Sequence, residues 1–138
     1  MYKFRTMRIQ DITESDSKWT IANDTRVTPL GRILRRTNLD ELPQFWNVLA
    51  GNMSVVGPRP EREFFIKQFR NDIPNYQVRH LVKSGISGLA QVNGWRGNTS
   101  IRKRIECDIY YVENWRFLLD LKIIWLTLFG RDTYRHAY

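Results

Sequence analysis

The sequence predicts an α+β fold: a mostly helical single domain with a small β-hairpin or sheet and a C-terminal interfacial helix. Its 138 residues fit one domain, so a single unit spans 1–138. A hydrophobic content of 42% with 13% aromatic residues is typical of a packed core rather than of disorder. Apolar residues recur at helical spacing in several segments, whereas β-branched or alternating runs are short and few.

The segment from Tyr2 to Arg8 alternates polar and apolar side chains, which predicts a half-buried strand. Lys3 and Arg5 then share one face, and Tyr2 and Phe4 share the other. Two interpretations of the basic face fit equally well: contact with anionic groups, or a solvated edge strand whose lysine discourages pairing with other chains. Residues 11–18 are polar without apolar periodicity and predict a mobile loop.

A first helix is predicted to begin at Thr28 and Pro29, a capping residue followed by proline at the first helical position. Its predicted buried stripe is Leu30, Ile33 and Leu34. Its exposed side carries Arg32, Arg35 and Arg36. A run of charges usually forms a solvated face, which we expect for Arg32 and Arg36, whereas Arg35 is a candidate phosphate ligand.

A second helix is predicted from Leu42, Phe45, Trp46 and Leu49, the i, i+3, i+4, i+7 spacing of a core-facing helix, with Gly51 as a stop signal. Asp40 and Glu41 precede it, where the positive end of the helix dipole favours anions. Asn38 or Thr37 can cap the start. If Pro43 takes the first helical position instead, both acids lie in the turn just ahead of the helix. Helix capping is the ordinary role of such acids.

A proline-flanked arginine follows this helix. The run Val55-Val56-Gly57 predicts a short strand ending in a turn, and Pro58-Arg59-Pro60 predicts an extended segment of restricted flexibility. A guanidinium held in this way is suited to bidentate contact with a phosphate.

The middle of the chain predicts further short elements. A stripe with helical spacing, mostly aromatic, is predicted to be core: Phe64, Phe65, Gln68 and Phe69. Residues 76–82 predict a short helix with Arg79 on its exposed side, and 84–88 a flexible turn leading into a strand over 89–92. The turn at 93–98 places Trp95 and Arg96 where a base or a sugar ring can bind.

A longer helix is predicted after Ser100, which can cap it. Its core face is Ile101, Ile105, Ile109 and Val112. Arg104, Asp108 and Tyr111 share another side. An ordinary ion pair with a neighbouring tyrosine also explains this trio.

The run 117–129, FLLDLKIIWLTLF, is apolar nearly all round except for Asp120 and Lys122. At about 1.5 Å per residue it spans only about 20 Å, which is less than the hydrocarbon core of a bilayer. A buried core helix and an interfacial helix both fit, because Trp115, Arg116 and Trp125 flank or interrupt the run.

The chain is strongly basic, with 22 Lys and Arg against 14 Asp and Glu and a net charge of +8. This implies an anionic partner: nucleic acid, phosphorylated small molecules or an acidic membrane surface.

The single cysteine, Cys107, excludes an internal disulfide and indicates a reduced intracellular thiol. The sequence has no Walker loop, Gly-x-Gly-x-x-Gly or Asp-x-Asp motif, and His80 and His136 lack metal-ligand spacing.

The stretch from Asn38 to Glu61, NLDELPQFWNVLAGNMSVVGPRPE, resembles the signature of the bacterial sugar transferases, the monotopic phosphoglycosyl transferases. The resemblance covers nearly the whole chain. Further matching segments, in the same order, are YKFRTM at 2–7, DTRVT at 24–28, GRILR at 31–35, GISGLAQVNG at 85–94 and DIYY at 108–111. Ser84 stands where most members have proline.

The resemblance implies transfer of a hexose-1-phosphate from a UDP-sugar to polyprenyl (undecaprenyl) phosphate, which initiates exopolysaccharide, capsule or O-antigen synthesis. It implies that Asp40 forms an aspartyl-phosphosugar intermediate and holds Mg²⁺ together with the diphosphate, while Glu41 acts as a proton acceptor or orienter. The implied phosphate-binding residues are Lys3, Arg5, Arg35 and Arg59. The implied substrate-orienting residues are Arg96, Arg104 and Asp108.

The lipid substrate implied by the resemblance favours the interfacial position for 117–129 and a membrane-surface enzyme at the cytoplasmic face of the bacterial inner membrane. Family members usually carry a hydrophobic re-entrant helix and a further strand ahead of the first matching segment, so the chain resembles a catalytic domain without its N-terminal anchor. Assembly into a homo-oligomer stays open.

Two other functions compete with the enzyme. One is a catalytically silent, membrane-associated assembly domain. The other is a nucleic-acid-binding module, which is disfavoured because no recognisable motif is present and because Asp40 and Glu41 would repel phosphates.

Overall fold

The computed structural model describes residues 1–8, 25–97 and 99–130. Its helices are α1 (Pro29–Arg36), α2 (Gln44–Leu49), α3 (Glu63–Asp72), α4 (Leu89–Val92), α5 (Ile101–Glu113) and α6 (Phe117–Phe129). The strands are β1 (Ser54–Val56) and β2 (Gly85–Ser87), and the 3₁₀ helices are Leu39–Glu41 and Tyr76–His80. The predicted α+β, mostly helical class is confirmed. The loop predicted at 11–18, together with Asn98 and the residues from Arg131 onward, lies outside the described residues.

Strands β1 and β2 form a parallel pair, with Ser54 opposite Gly85 and Val56 opposite Ser87. Parallel strands need a crossover connection, here α3 and the second 3₁₀ helix, so the small sheet is confirmed and the hairpin alternative is wrong. At Gly85 the strands approach so closely that a Cβ would overlap the backbone nitrogen of Gly57.

This pairing also overturns two local predictions. Residues 85–87, predicted as part of a flexible turn, form strand β2, and residues 89–92, predicted as a strand, form helix α4. The partner strand β1 lies far away in the sequence, so the local pattern did not contain the information that selects the paired segment.

The core lies where the sheet meets α4, α5 and α6. Val56, Val92, Tyr111 and Ile123 pack together at its centre. Ile123 is completely buried, and the hydroxyl of Thr127, one turn later, lies 2.5 Å from that of Ser87 in β2. Ile105 of α5 is buried as predicted.

Helix α6 is only partly covered by protein. The core interpretation holds for Ile123, but most large side chains of this helix are exposed: Phe117, Leu118, Leu121, Trp125, Leu128 and Phe129. Its outer face is therefore available for an interfacial contact. Within the described part of the chain, no helix combines the length and apolarity needed to cross a membrane.

The apolar face of α2 points outward, so the prediction of a core-facing helix is wrong. Trp46 and Leu49 are 67% and 80% exposed, and Leu42 and Phe45 are exposed as well. The buried residues of α2 are polar: Gln44 and Asn47. The Asn47 carbonyl accepts hydrogen bonds from the backbone N–H groups of Asn52 and Met53, which turn the chain toward β1.

The predicted buried stripe of α1 is wrong at two of its three residues, whereas the third, Leu34, is partly buried. Leu30 and Ile33 are exposed, and the buried residue of this helix is Gly31. Helical periodicity identifies which side chains share a face, but it does not say whether protein covers that face.

Among the described residues, the N-terminal segment pairs as a strand only at an isolated bridge between Met7 and Val27. Thr28 donates its backbone N–H to the Thr6 carbonyl, and Phe4 donates to the Asp40 carbonyl. Tyr2 and Phe4 are exposed, so their predicted half-burial is wrong. The segment nevertheless docks against α1 and the first 3₁₀ helix.

Two further burial predictions need correction. Arg79, predicted to be exposed, is only 3% exposed. In α3, Phe65 is buried as predicted, but Phe64 is exposed. The rings of Phe65, Phe69 and Tyr76 follow one another at centroid distances of 6.0 and 6.1 Å, which joins α3 to the second 3₁₀ helix.

Gly31→Ala should destabilise the protein, although alanine is normally about 1 kcal/mol better than glycine inside a helix. The new Cβ would overlap the Thr6 carbonyl oxygen and lie 2.8 Å from the Thr28 hydroxyl. The N-terminal segment would have to shift, at a cost of about 1 to 3 kcal/mol. Thermal unfolding measures the change, with Arg32→Ala on the exposed side of α1 as the control. A Tm at or above that of the wild type would contradict the close packing of this segment on Gly31.

Candidate active site

Asp40 and Glu41 lie in a 3₁₀ turn rather than in a regular helix. Asn38 starts the turn in the left-handed conformation, with a φ of 55°. Pro43 occupies the N-cap position of α2, and no side chain caps that helix. Both acids therefore lie in the turn ahead of α2, which is one of the two predicted placements, and neither serves as the cap of α2.

Glu41 is bonded by two of the cations predicted to bind phosphate. Lys3 Nζ and Arg59 Nη2 each donate to the same carboxylate oxygen, Oε1, at 2.7 Å. Burial opposes the ionisation of Glu41, but the charges of Arg59 and Lys3 outweigh it and hold the pKa of this carboxyl at about 2. Such a carboxylate is a weak proton acceptor at neutral pH. Its surroundings therefore favour the orienting role over the proton-accepting one.

Asp40 has different surroundings from its neighbour. Burial and then the adjacent charge of Glu41 raise the pKa of Asp40, against the opposing effects of Lys3 and Arg35. Because basicity and nucleophilicity rise together, Asp40 is better suited to attack an electrophile than Glu41 is. The hydrogen bond from Phe4 to its carbonyl fixes its main chain.

Arg35 and Arg5 are placed differently around this pair. Arg35 Nε donates to the Thr6 hydroxyl at 2.8 Å, and the positive charge of Arg35 reaches Asp40. Arg5 is exposed on the same N-terminal segment. The structure thus brings Lys3, Arg35 and Arg59 together around the two acids.

Arg104 and Asp108 lie in a buried layer, with 4% and 1% exposure. Each pairs with a residue from another part of the chain: Arg104 with Glu61 at 2.8 Å, and Asp108 with Arg79 at 2.7 Å. Burial raises the pKa of Asp108 to about 6, although Arg79 opposes the rise. This burial favours support of the site over direct contact with a substrate.

Arg96 lies partly buried in the turn after α4. Next to it, the ammonium of Lys103 lies over the Trp95 ring, 4.7 Å from the ring centroid. The turn is joined to the buried layer because Arg104 donates to the Gly97 carbonyl at 2.8 Å. The orienting role of Arg96 stays a prediction.

Sequence reasoning missed three contributors to this arrangement: Thr6, Glu61 and Arg79. Glu61 had a usable signal, since it directly follows the proline-flanked arginine. Arg79 had none, because one of its partners, the Arg59 carbonyl, lies 20 residues earlier in the chain and Asp108 lies on a later helix.

The donor groups fit a metal ion that arrives with a phosphate ligand. Among the described residues, no group of three or more His, Cys, Asp or Glu side chains is able to hold a metal. Mg²⁺ commonly binds through one or two carboxylates together with phosphate oxygens. Asp40 supplies such a carboxylate, whereas Glu41 is engaged by Lys3 and Arg59.

Residues 1–131 match the sequence profile of the family described as bacterial sugar transferase. The chain belongs to this family. The full length of this bacterial sugar transferase is similar to part of the UDP-glucose:undecaprenyl-phosphate glucose-1-phosphate transferases of Klebsiella pneumoniae and Escherichia coli (strain K12). The identities are 51% and 48%. A UDP-N-acetylgalactosamine-undecaprenyl-phosphate N-acetylgalactosaminephosphotransferase of Aeromonas hydrophila is 44% identical over 93% of the chain. The chain spans 30% of the length of each of these relatives.

Glu41→Gln should reduce the loss of folding stability that occurs when the pH is lowered. The pKa of Glu41 in the folded protein is about 2, below its ordinary value of 4.5. Ionised Glu41 therefore stabilises the fold above about pH 4.5, and this contribution is lost as the pH falls towards about 2. The variant should be less stable at neutral pH and should lose less stability on acidification.

Thermal unfolding between about pH 3 and pH 7 measures this difference. Glu113→Gln, which removes an exposed carboxylate at the end of α5, is the matched control. Parallel pH profiles for Glu41→Gln and the wild type would show that the two cations do not stabilise the Glu41 carboxylate.

Proposed function

We propose that this bacterial sugar transferase moves a hexose-1-phosphate from a UDP-sugar to polyprenyl (undecaprenyl) phosphate, as the first step of exopolysaccharide, capsule or O-antigen synthesis. The observation that carries the proposal is the pair formed by Asp40 and the cation-bound Glu41 beside the proline-held Arg59. The names of the Klebsiella and Escherichia relatives describe the same class of reaction.

In the proposed first step, a carboxylate oxygen of Asp40 attacks the phosphorus that bears the sugar. The bond from this phosphorus to the oxygen bridging the two phosphates breaks, and UMP leaves with the electron pair. In the second step, an oxygen of polyprenyl phosphate attacks the same phosphorus. The acyl-phosphate bond breaks, the Asp40 carboxylate is regenerated, and the polyprenyl diphosphate sugar is released.

The cations around Asp40 would stabilise the negative charge on the phosphoryl oxygens. Glu41 orients Lys3 and Arg59 before substrate binds, so little reorganisation is needed in the reaction. An ammonium has three N–H donors and a guanidinium has five, so bonding to Glu41 is compatible with phosphate contacts. Arg35, whose charge reaches Asp40, adds a third cation from α1.

We also propose that Mg²⁺ takes part, held by Asp40 and the diphosphate oxygens. When bound there, it would neutralise part of the phosphate charge and increase the electrophilicity of the phosphorus.

A membrane contact would explain the exposed apolar surfaces of the described residues. These side chains are Leu30 and Ile33 on α1, Leu42 just ahead of α2, and Phe45, Trp46 and Leu49 on α2. Large exposed apolar patches usually mark a contact with protein or membrane. Because α2 begins directly after the two acids, a bilayer against this helix would bring the phosphate of a polyprenyl lipid close to Asp40. We therefore propose a location at the cytoplasmic face of the inner membrane, where nucleotide sugars are available.

The alternative is a catalytically silent assembly domain on the membrane. It would need neither the ionised Glu41 nor the positioned Arg59. The two short bonds to Glu41 therefore favour the enzyme, and the measurement of turnover decides between them.

Asp40→Asn in the full-length protein should abolish both UMP release and the covalent sugar-phosphate adduct, with a rate loss of about 10³-fold or more. UMP release is measured with UDP-glucose, UDP-galactose and UDP-N-acetylgalactosamine in the presence of polyprenyl phosphate and Mg²⁺. The adduct is measured by mass spectrometry without the lipid acceptor. We expect UDP-glucose to be preferred, as in the names of the Klebsiella and Escherichia relatives.

The matched control for this experiment is Asp72→Asn, which removes an exposed carboxylate at the end of α3. An adduct on the Asp40→Asn protein would remove Asp40 from the nucleophile role. Absence of UMP release by the wild type with every sugar would favour the silent assembly domain.

Trp46→Glu combined with Leu49→Glu should weaken binding to anionic vesicles. Trp125→Glu combined with Phe129→Glu tests in the same way whether α6 contacts lipid. Each leucine-sized side chain that enters the bilayer contributes about 1.5 to 3 kcal/mol, so losing two should reduce binding at least about tenfold. Co-sedimentation of the full-length protein with vesicles measures the partition. Removing α6 altogether is unsuitable, because Ile123 belongs to the core.

The control for the added negative charge is Gln68→Glu combined with Asn71→Glu, both at exposed positions of α3. If this pair reduces co-sedimentation as strongly as the α2 pair does, charge rather than apolar contact accounts for the binding.

A further inference from the structure

Arg79 is a buried cation that the proposed reaction does not use directly. Its side chain is 2% exposed and makes three polar contacts. It pairs with Asp108 Oδ2 at 2.7 Å, donates to the Tyr76 hydroxyl at 3.1 Å and donates through Nη2 to the backbone carbonyl of Arg59 at 2.7 Å. The last contact reaches the main chain of a residue whose side chain binds Glu41.

The segment around Arg59 is held at several points by buried groups. Its start is bonded to β2, since Gly57 donates to the Ser87 carbonyl and Gly85 donates to the Pro58 carbonyl. Its end is held by the pair between Glu61 and Arg104. Between these points, the bond from Arg79 fixes the carbonyl of Arg59 itself.

Because of the two prolines, the bond from Arg79 to the Arg59 carbonyl also restricts the position of the Arg59 side chain. Pro58 has a fixed φ, and Pro60 restricts Arg59 to extended conformations. The segment has few soft torsions, so a displacement of the Arg59 carbonyl would carry the whole residue with it. The guanidinium would then leave its position 2.7 Å from Glu41.

We propose that Arg79, supported by Asp108, is a positioning residue that sets the place of the Arg59 guanidinium at the active site. The inference rests on the proposed function where it concerns catalysis. The chain of contacts runs from Asp108 on α5 through Arg79 to the Arg59 carbonyl, and from the Arg59 side chain to Glu41. Arg79 therefore acts through Arg59 and does not contact the reacting phosphates.

Arg79→Lys tests this role in the full-length protein. Lysine keeps the charge near Asp108, but its single ammonium lacks the planar fork that serves Asp108, Tyr76 and the Arg59 carbonyl together. The kcat for UMP release should fall about tenfold or more, with a smaller change in KM, because Arg59 acts mainly on charge that develops in the transition state. In an Arg59→Ala background the same substitution should change kcat less than about twofold, since the residue it positions is gone.

A second variant covers the case in which Arg79→Lys folds poorly. Arg79→Gln combined with Asp108→Asn removes both charges, so no unpaired charge stays buried. It should show the same dependence on Arg59. The control is Tyr111→Phe in α5, which removes a buried hydroxyl bonded to Asp120 at 2.8 Å and should have an equal effect in both backgrounds. Thermal unfolding of each variant corrects for the folded fraction.

A readout independent of turnover separates this inference from the proposed function. The stability difference between the wild type and Glu41→Gln at about pH 7 reports the contacts of the two cations with Glu41. Arg79→Lys should reduce this difference, whereas Tyr111→Phe should leave it unchanged. An unchanged difference, or equal losses of kcat with and without Arg59, would overturn the positioning role. A wild-type protein that releases no UMP would contradict the proposed reaction, and the stability measurement would still decide the role of Arg79.

Discussion

The ion pairs of Glu41 join three parts of the chain that are far apart in sequence. Lys3 comes from the N-terminal segment, Glu41 from the first 3₁₀ helix and Arg59 from the segment after β1. A single exposed ion pair stabilises a protein by at most about 1 kcal/mol. Here two cations share one largely buried carboxylate oxygen, and the low pKa of Glu41 reports their combined effect. The arrangement of the site depends on this shared contact.

Beneath this contact lies a layer of buried charge formed by Arg79, Asp108, Arg104 and Glu61. Burying ions is costly, and well-packed apolar residues of similar volume often stabilise a protein more. These pairs are therefore poorly explained as a source of stability alone. Their contacts are better explained by geometry, because both arginines hold the segment that carries Arg59. The cost of desolvation would then be offset by a site whose cations are oriented before substrate binds.

The distribution of apolar side chains is consistent with a membrane surface next to the active site. The central core is small, formed by Val56, Val92, Tyr111 and Ile123, while large side chains of α1, α2 and α6 lie outside it. In α2 the polar residues face the protein and the apolar ones face away, the reverse of an ordinary surface helix. A bilayer as the neighbouring phase would give those side chains an apolar environment next to Asp40.

The sequence by itself determined the α+β class, the position of Asp40 and Glu41 at the N-terminal end of α2, the strand before Arg59 and the family, because these follow from local spacing, proline geometry and a long ordered motif. It did not determine the parallel pairing of β1 with β2, the outward faces of α1 and α2 or the burial of Arg79. Each of these depends on what lies opposite a residue in space. The two flanking prolines identified Arg59 from the sequence as a restricted arginine. Only the tertiary structure showed that Arg79 bonds its carbonyl and that its guanidinium bonds Glu41, because both partners lie in separate segments that the fold brings together.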